Sequence, residues 1–192
     1  MKVDFSEVIR RQRMTRRFEQ RPIDRVLLDS ILSSGQKAPS AGYSQGVSML
    51  VLEDARRGMF WRCVDPLGRH VAETRPPVIV VPGYNKKAYL ERYKAPDKAA
   101  SGLEAENKWP VPFWIVDASF AAMMIMLAAT ASGLGCWFFG IFTGKQELLQ
   151  ELALEDFDPI GAIGLGYPAP RQLRSPSLKR GRKPFDEFAM RP

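Results

Sequence analysis

The chain is poor in the residues that metal and disulfide chemistry need. Two cysteines, Cys63 and Cys136, and one histidine, His70, are spread over 192 residues with no CxxC pair. That excludes a disulfide framework and a zinc ligand set, so no metal is expected and each cysteine reads as a small buried hydrophobe. A Ser-His-Asp triad would have to use His70, which lies in DPLGRHVAE, a predicted surface turn, and that class is set aside. Phosphate-loop signatures are missing as well. No GxxxxGK followed by Ser or Thr occurs, neither GAIGLG (161–166) nor GLGCWFFG fits GxGxxG, and Pro168 stands where a nucleotide-binding helix would begin. No apolar run reaches the roughly 20 residues that cross a bilayer. The N-terminus, MKVDFSEVIR, has no apolar signal region, and Asp4 and Glu7 argue against a transit peptide. A cytoplasmic protein that acts off the membrane, in a reducing compartment, is expected. There is no internal repeat.

Acidic residues are the minority, 21 Asp and Glu against 28 Lys and Arg, for a formal charge of +7. The surplus sits at the two ends, in RRQRMTRRFEQR (10–21) and RQLRSPSLKRGRK (171–183), while the middle is close to ordinary. A basic balance admits nucleic acid, but two basic ends can equally meet at one phosphate. Solvated charged faces are the bland alternative for any single arginine.

The chain is organised around DASFAAMMIMLAATASGLGCWFFG (117–140). From Ala118 to Ala131 no residue is charged and apolar side chains occupy every helical face, so the helix is either the centre of a large core or a subunit contact. Asp117 is placed to cap it and Gly133 to end it. Upstream, Asp4 or Ser6 caps a first helix, and a second runs from near Asp24 to Gly35. KAPSAGYSQG (37–46) is a loop rich in hydrogen-bonding groups. Strands are predicted at Val47–Leu52, Val78–Val81, Cys136–Ile141 and Ile160–Leu165, with short helices around Met59–Trp61, Lys86–Tyr93 and Lys145–Leu152. A long polar connection precedes Pro112, of the kind that often covers a site. Residues 1–168 read as one core domain, and 169–192 as an extended arm with no core pattern.

Five segments in order, R-M-T-R-x-F, APSAGYSQG, GLG-x-W-x-x-G, LGYP and KRGRKPFDE, make the chain resemble the FMN-dependent nitroreductase family over essentially its whole length. The resemblance implies an α+β homodimer, a mainly antiparallel sheet flanked by helices, with the C-terminal arm crossing to the partner and FMN in the interface. It places Arg13, Met14 and Arg16 at the FMN phosphate, ribityl chain and ring edge, with Arg180 and Arg182 of the tail completing the phosphate site. Guanidinium groups suit a phosphate dianion through charge-assisted, often bidentate hydrogen bonds. Pro39, Ser40, Gly42 and Gln45 match the loop along the polyol and ring edge. Phe139 precedes Gly140, the glycine whose backbone N–H is expected to face flavin N5, where only a small residue lets the backbone approach. Tyr43, Phe113 and Trp114 are the expected walls of the acceptor pocket.

The chain departs from the family's common pattern at Gln12, where arginine is frequent, at Met14, where serine is, at Tyr43, where asparagine is, and at Gly46-Val47, where Pro-Trp is. The implied activity is an NAD(P)H oxidoreductase that reduces nitroaromatic, quinone or related planar small molecules by ping-pong hydride transfer through flavin N5. The protein need supply no nucleophile or general base of its own. A flavin oxidase or reductive dehalogenase of the same fold, a non-enzymatic FMN-storage protein and a nucleic-acid binder remain as alternatives. Neither the natural acceptor nor the choice between NADH and NADPH is legible.

Overall fold

The computed structural model describes residues 4–70 and 74–191. Its centre is the run VIVV at 78–81, buried on both sides of the chain, which forms the first part of β2 (Val78–Tyr84). β1 (Val47–Leu52) pairs antiparallel with one edge of β2, and β5 (Ala162–Gly166) with the other. β3 (Gly135–Phe139) then pairs antiparallel with β5, and the two-residue β4 (Asp158–Pro159) extends the sheet at Gly83 and Tyr84. The order is β1-β2-β5-β3. β2 continues past Pro82, whose carbonyl accepts the Ile160 N–H at 3.0 Å, so the missing proline donor does not stop the strand there.

Alternation assigns each strand residue to one of two cores. Val78, Val80, Cys136, Ile163 and Leu165 face α2 (Arg25–Gly35) and α5 (Phe113–Ala131). Leu52, Ile79, Val81 and Ala162 face α3 (Asp54–Val64) and α6 (Lys145–Glu151), which contribute Met59, Phe60, Trp61 and Leu148. Each fully buried Val, Leu or Ile contributes about 1.5–3 kcal/mol of transfer free energy. Local signals behave as read: Asp4 accepts from the Ser6 N–H at the start of α1 (Phe5–Arg11), and Asp24 accepts from the Leu27 N–H at the start of α2. Gly133, at φ 78°, follows the end of α5 in the left-handed region that favours glycine.

The central helix differs from its expected form. It begins at Phe113, immediately after Pro112, so Asp117 lies one turn inside it and does not cap it. At 19 residues it is long and apolar enough to cross a membrane, and the argument from a short run falls. Its packing is that of a core helix on one side only. Ala118, Ala121, Ala122, Ile125, Met126 and Ala129 are buried against α2 and the sheet, while Ile115, Phe120 and Met123 are exposed.

The expected surface turn is present, with residues 66–69 exposed, but His70 at its end packs its ring inward. Its ring packs 5.2 Å from that of Trp61 and 5.6 Å from that of Trp137. Asp65, whose carboxylate accepts the backbone N–H groups of Arg69 and His70 at 3.0 and 2.8 Å, fixes this bend. Burial works against that carboxylate's charge, but the hydrogen bonds outweigh it and hold the acid below its ordinary value.

Candidate active site

Residues 14–19 leave α1 as an extended segment beside the sheet. Met14 bridges Cys136 in parallel, the Thr15 N–H donates to the Cys136 carbonyl at 2.8 Å, and the Glu19 N–H to that of Tyr167 at 2.9 Å. Gly135 permits the approach, since a Cβ there would stand 2.5 Å from the Thr15 hydroxyl. The segment thus lies against the strand that leads through Phe139 to Gly140. A Cβ on Gly140 would meet the ring of Phe142 at 2.6 Å, but Phe142 is almost wholly exposed and free to move aside, so packing within the chain does not by itself demand glycine there.

Two of the departures from the family pattern make contacts within the chain. The Thr130 hydroxyl donates to the side-chain oxygen of Gln12, whose amide nitrogen donates to the Cys136 sulfur at 3.5 Å. Met14 receives the Phe138 N–H on its sulfur at 3.4 Å. Both tie the segment to β3 and to the C-terminal end of α5. Arg13 and Arg16 are held by this backbone, and among the described residues neither guanidinium makes an ion pair. By contrast Arg10 and Arg11 are both satisfied by Glu7, which they drag down to about 2. Arg13 and Arg16 are the two arginines of this segment that the resemblance assigns to the flavin.

The start of the tail reaches the same segment. Gln172 accepts the Arg16 N–H at 3.0 Å and donates to the Arg17 carbonyl at 2.9 Å, and the Ala169 N–H donates to Arg17 as well. Beyond it the chain is mostly exposed, through the turn at Pro176–Arg180 and the short α7 (Phe185–Phe188). Arg180 and Arg182 lie there without an ion pair among the described residues, and Leu178, Phe185, Phe188 and Met190 are exposed apolar groups.

The loop that holds Pro39, Ser40, Gly42, Tyr43 and Gln45 is anchored elsewhere. Gly42, Tyr43 and Gln45 have φ of 61°, 55° and 52°, and two of these are not glycine, so the conformation is imposed from outside the loop. The clamps come from α4 (Lys86–Arg92) and α5. Arg92 donates to the Gly42 carbonyl at 2.8 Å, the Tyr93 ring lies where a Gly42 Cβ would be, and the Tyr89 ring occupies the corresponding place at Gly46. Asp117, 3% exposed, accepts the Ala41 N–H at 2.8 Å and the Tyr89 hydroxyl at 2.9 Å. Burial, then the adjacent Asp117, pushes the Tyr89 phenol well above its ordinary value, so it remains a donor. Sequence reasoning missed Tyr89, Arg92 and the inward role of Asp117. The available signal was a lone carboxylate in an otherwise apolar helix.

Of the expected pocket walls, Tyr43 is 75% exposed and Phe113 half-buried. Trp114 is buried, 6.1 Å from the ring of Tyr89 and 5.6 Å from that of Trp109, with Lys86 over its face. Trp109, which donates its indole N–H to the Leu103 carbonyl, is the hub of this aromatic group and ties the long 94–112 connection down on α5. Two surface cavities of about 450 and 430 Å³, between α2 and α3 and between α3 and α6, include none of these residues.

Comparison with known proteins agrees with this architecture. The chain is 29% identical over 175 residues, 88% of its length and 79% of the relative's, to a Methanothermobacter thermautotrophicus protein assigned as an NADH dehydrogenase/NAD(P)H nitroreductase. It is 28% identical over 172 residues to an FMN reductase [NAD(P)H] of Bacillus subtilis, covering 86% of this chain and 66% of that one. A Desulfovibrio desulfuricans protein assigned as a nitroreductase and solved in complex with FMN superposes with a TM-score of 0.72 at 23% identity, over 100% of this chain and 98% of that one. The sequence model of the Nitroreductase family matches residues 9–167, from the middle of α1 to the end of β5, and the chain therefore belongs to the nitroreductase family.

Proposed function

We propose that the protein is an FMN-dependent NAD(P)H oxidoreductase that reduces planar acceptors such as nitroaromatics and quinones. The observation that carries this reading is the pair Arg13 and Arg16, two cations without a carboxylate partner among the described residues, held on the strand-like segment that meets β3 at Cys136 and then the end of β5 at Tyr167. This donor set suits a phosphate dianion and an electron-rich ring edge. Bound there, FMN would supply the chemistry, taking a hydride at N5 from NAD(P)H and passing it to the acceptor. The chain's own part is to orient and to tune. Arg13 with Arg180 and Arg182 would hold the phosphate, and Arg16 would offset negative charge at the N1 and O2 edge of the ring. The Gly140 N–H would serve the N5 edge of the ring, and Tyr43 and Phe113 would wall the acceptor side. One binding face serves donor and acceptor in turn, so the kinetics should be ping-pong.

The same reading requires a homodimer. The basic segment is anchored at Thr130 and the loop at Asp117, positions separated by about 20 Å along α5. A two-fold axis that packs the exposed apolar side of α5 antiparallel on its copy brings one subunit's loop to the other subunit's basic segment. The exposed tail, with its unburied apolar residues, then serves as the arm that crosses to the partner.

The visible spectrum of the purified protein tests the proposal. Yellow protein whose released chromophore is FMN, and which bleaches on anaerobic addition of NADH or NADPH, is the expected result. Colourless protein that takes up no FMN would overturn it.

A further inference from the structure

We infer that Asp117 is a positioning residue for the cofactor loop, acting through Tyr89 and the Ala41 amide to hold residues 40–46 in a conformation they would not keep unaided. The inference rests on the flavin reading above. Asp117 is a buried carboxylate in an otherwise apolar helix, and the hydride chemistry has no use for it. Burying a charged group is costly unless it is paired or hydrogen-bonded. Here the compensation comes from the Ala41 N–H of the loop at 2.8 Å and from the phenol of Tyr89, on α4, at 2.9 Å.

Two donors converge on Asp117: the Ala41 N–H and the Tyr89 hydroxyl, which spends its single proton there. Ser40 accepts the Gln45 N–H at 3.0 Å. The carboxylate therefore ties the loop at Ala41, and the loop closes on itself at Gln45 through the adjacent Ser40 hydroxyl. Two left-handed residues that are not glycine, Tyr43 and Gln45, lie within this span. Left-handed backbone at non-glycine positions persists where the surroundings over-determine it. The packing of Tyr89 on Gly46 and of Tyr93 on Gly42 supplies shape, while Asp117 supplies the polar anchor.

The test uses the holoprotein, with the variants Asp117→Ala, Asp117→Asn and Tyr89→Phe. Flavin retention is read on dilution from the recovery of free FMN fluorescence, and loop order from amide hydrogen exchange at Ala41 and Gln45. Losing a hydrogen bond to a buried charge corresponds to roughly ten- to hundredfold in affinity. Asp117→Ala should release FMN with a dissociation constant raised by about that factor. Asp117→Asn, whose amide oxygen still accepts from Ala41, should fall between it and wild type. Tyr89→Phe, which keeps the ring on Gly46, should lose several-fold. Loop amides should exchange faster in all three, while those of β2 and β5 should not.

Leu148→Ala, in the core on the opposite face of the sheet, serves as the control. It should lower the melting temperature without moving FMN retention. Wild-type retention and wild-type loop exchange in Asp117→Asn and Tyr89→Phe would overturn the inference, as would FMN loss in Leu148→Ala proportional to its lost stability. A wild-type protein that takes up no FMN defeats the functional reading instead. Exchange at Ala41 and Gln45 then still decides whether Asp117 orders the loop.

Discussion

Arg92 does two things with one guanidinium: it donates to the Gly42 carbonyl at 2.8 Å and grips both oxygens of Asp97 at 2.7 and 2.6 Å. The Asp97 carboxyl is held at about 2 by this pair, against an ordinary value of 3.8. Its folded value is the depressed one, so whatever the pair contributes is present above pH 4 and is lost as the pH falls through about 2. Carbon-13 NMR titration of Asp97 should give a midpoint near 2 in wild type and near 4 in Arg92→Gln. An unmoved midpoint would mean that Arg92 is not its partner in solution. Arg16 carries the matching functional test. Arg16→Ala should weaken FMN retention or lower the flavin midpoint potential, and a variant unchanged in both would remove Arg16 from the site. At this scale the basic residues were legible because charge clusters are visible in a string of letters. Tyr89 and Arg92 were not, because their roles depend on which loop folds back against α4.

Among the elements, α5 decides most. Its apolar composition admits either a core centre or a subunit contact, and within the chain only one side is buried while the other shows Ile115, Phe120 and Met123 to solvent. Composition is blind to this difference: a face that meets a partner and a face that meets the sheet call for the same residues. If the exposed side is the subunit contact, Phe120→Glu should place a charge in a desolvated interface and convert dimer to monomer in sedimentation velocity. Loss of bound FMN should accompany it, because each site would then lack half of its residues. A Phe120→Glu protein that stays dimeric and yellow would exclude this face. The strands were the easier elements. β1 spans the residues predicted for it, and β2 was placed but cut short at Val81, because a proline ends a strand by rule whereas here β4 and Ile160 accommodate it.

For the molecule as a whole, the sheet is the structure that both cores share. Ile163, fully buried, is paired with Val80 and Phe138 at its centre. Ile163→Ala should cost about 2–5 kcal/mol, read as a lower urea midpoint at an unchanged slope. A cost under about 1 kcal/mol would show that the site collapses onto the smaller side chain. The alternation of apolar residues, the caps at Asp4 and Asp24, the turn glycines and the ordered family segments are local properties, and the sequence by itself determined the α+β class, most element positions and the family from them. Tertiary structure alone decided that Asp117 turns inward to the loop instead of capping its helix, that His70 is held between two tryptophans, and that Gln12 and Met14 bind β3. It also decided that the basic segment and the loop sit toward opposite ends of α5. These are contacts between residues up to 124 positions apart. Their energies depend on distance and burial, which the linear order of residues does not carry.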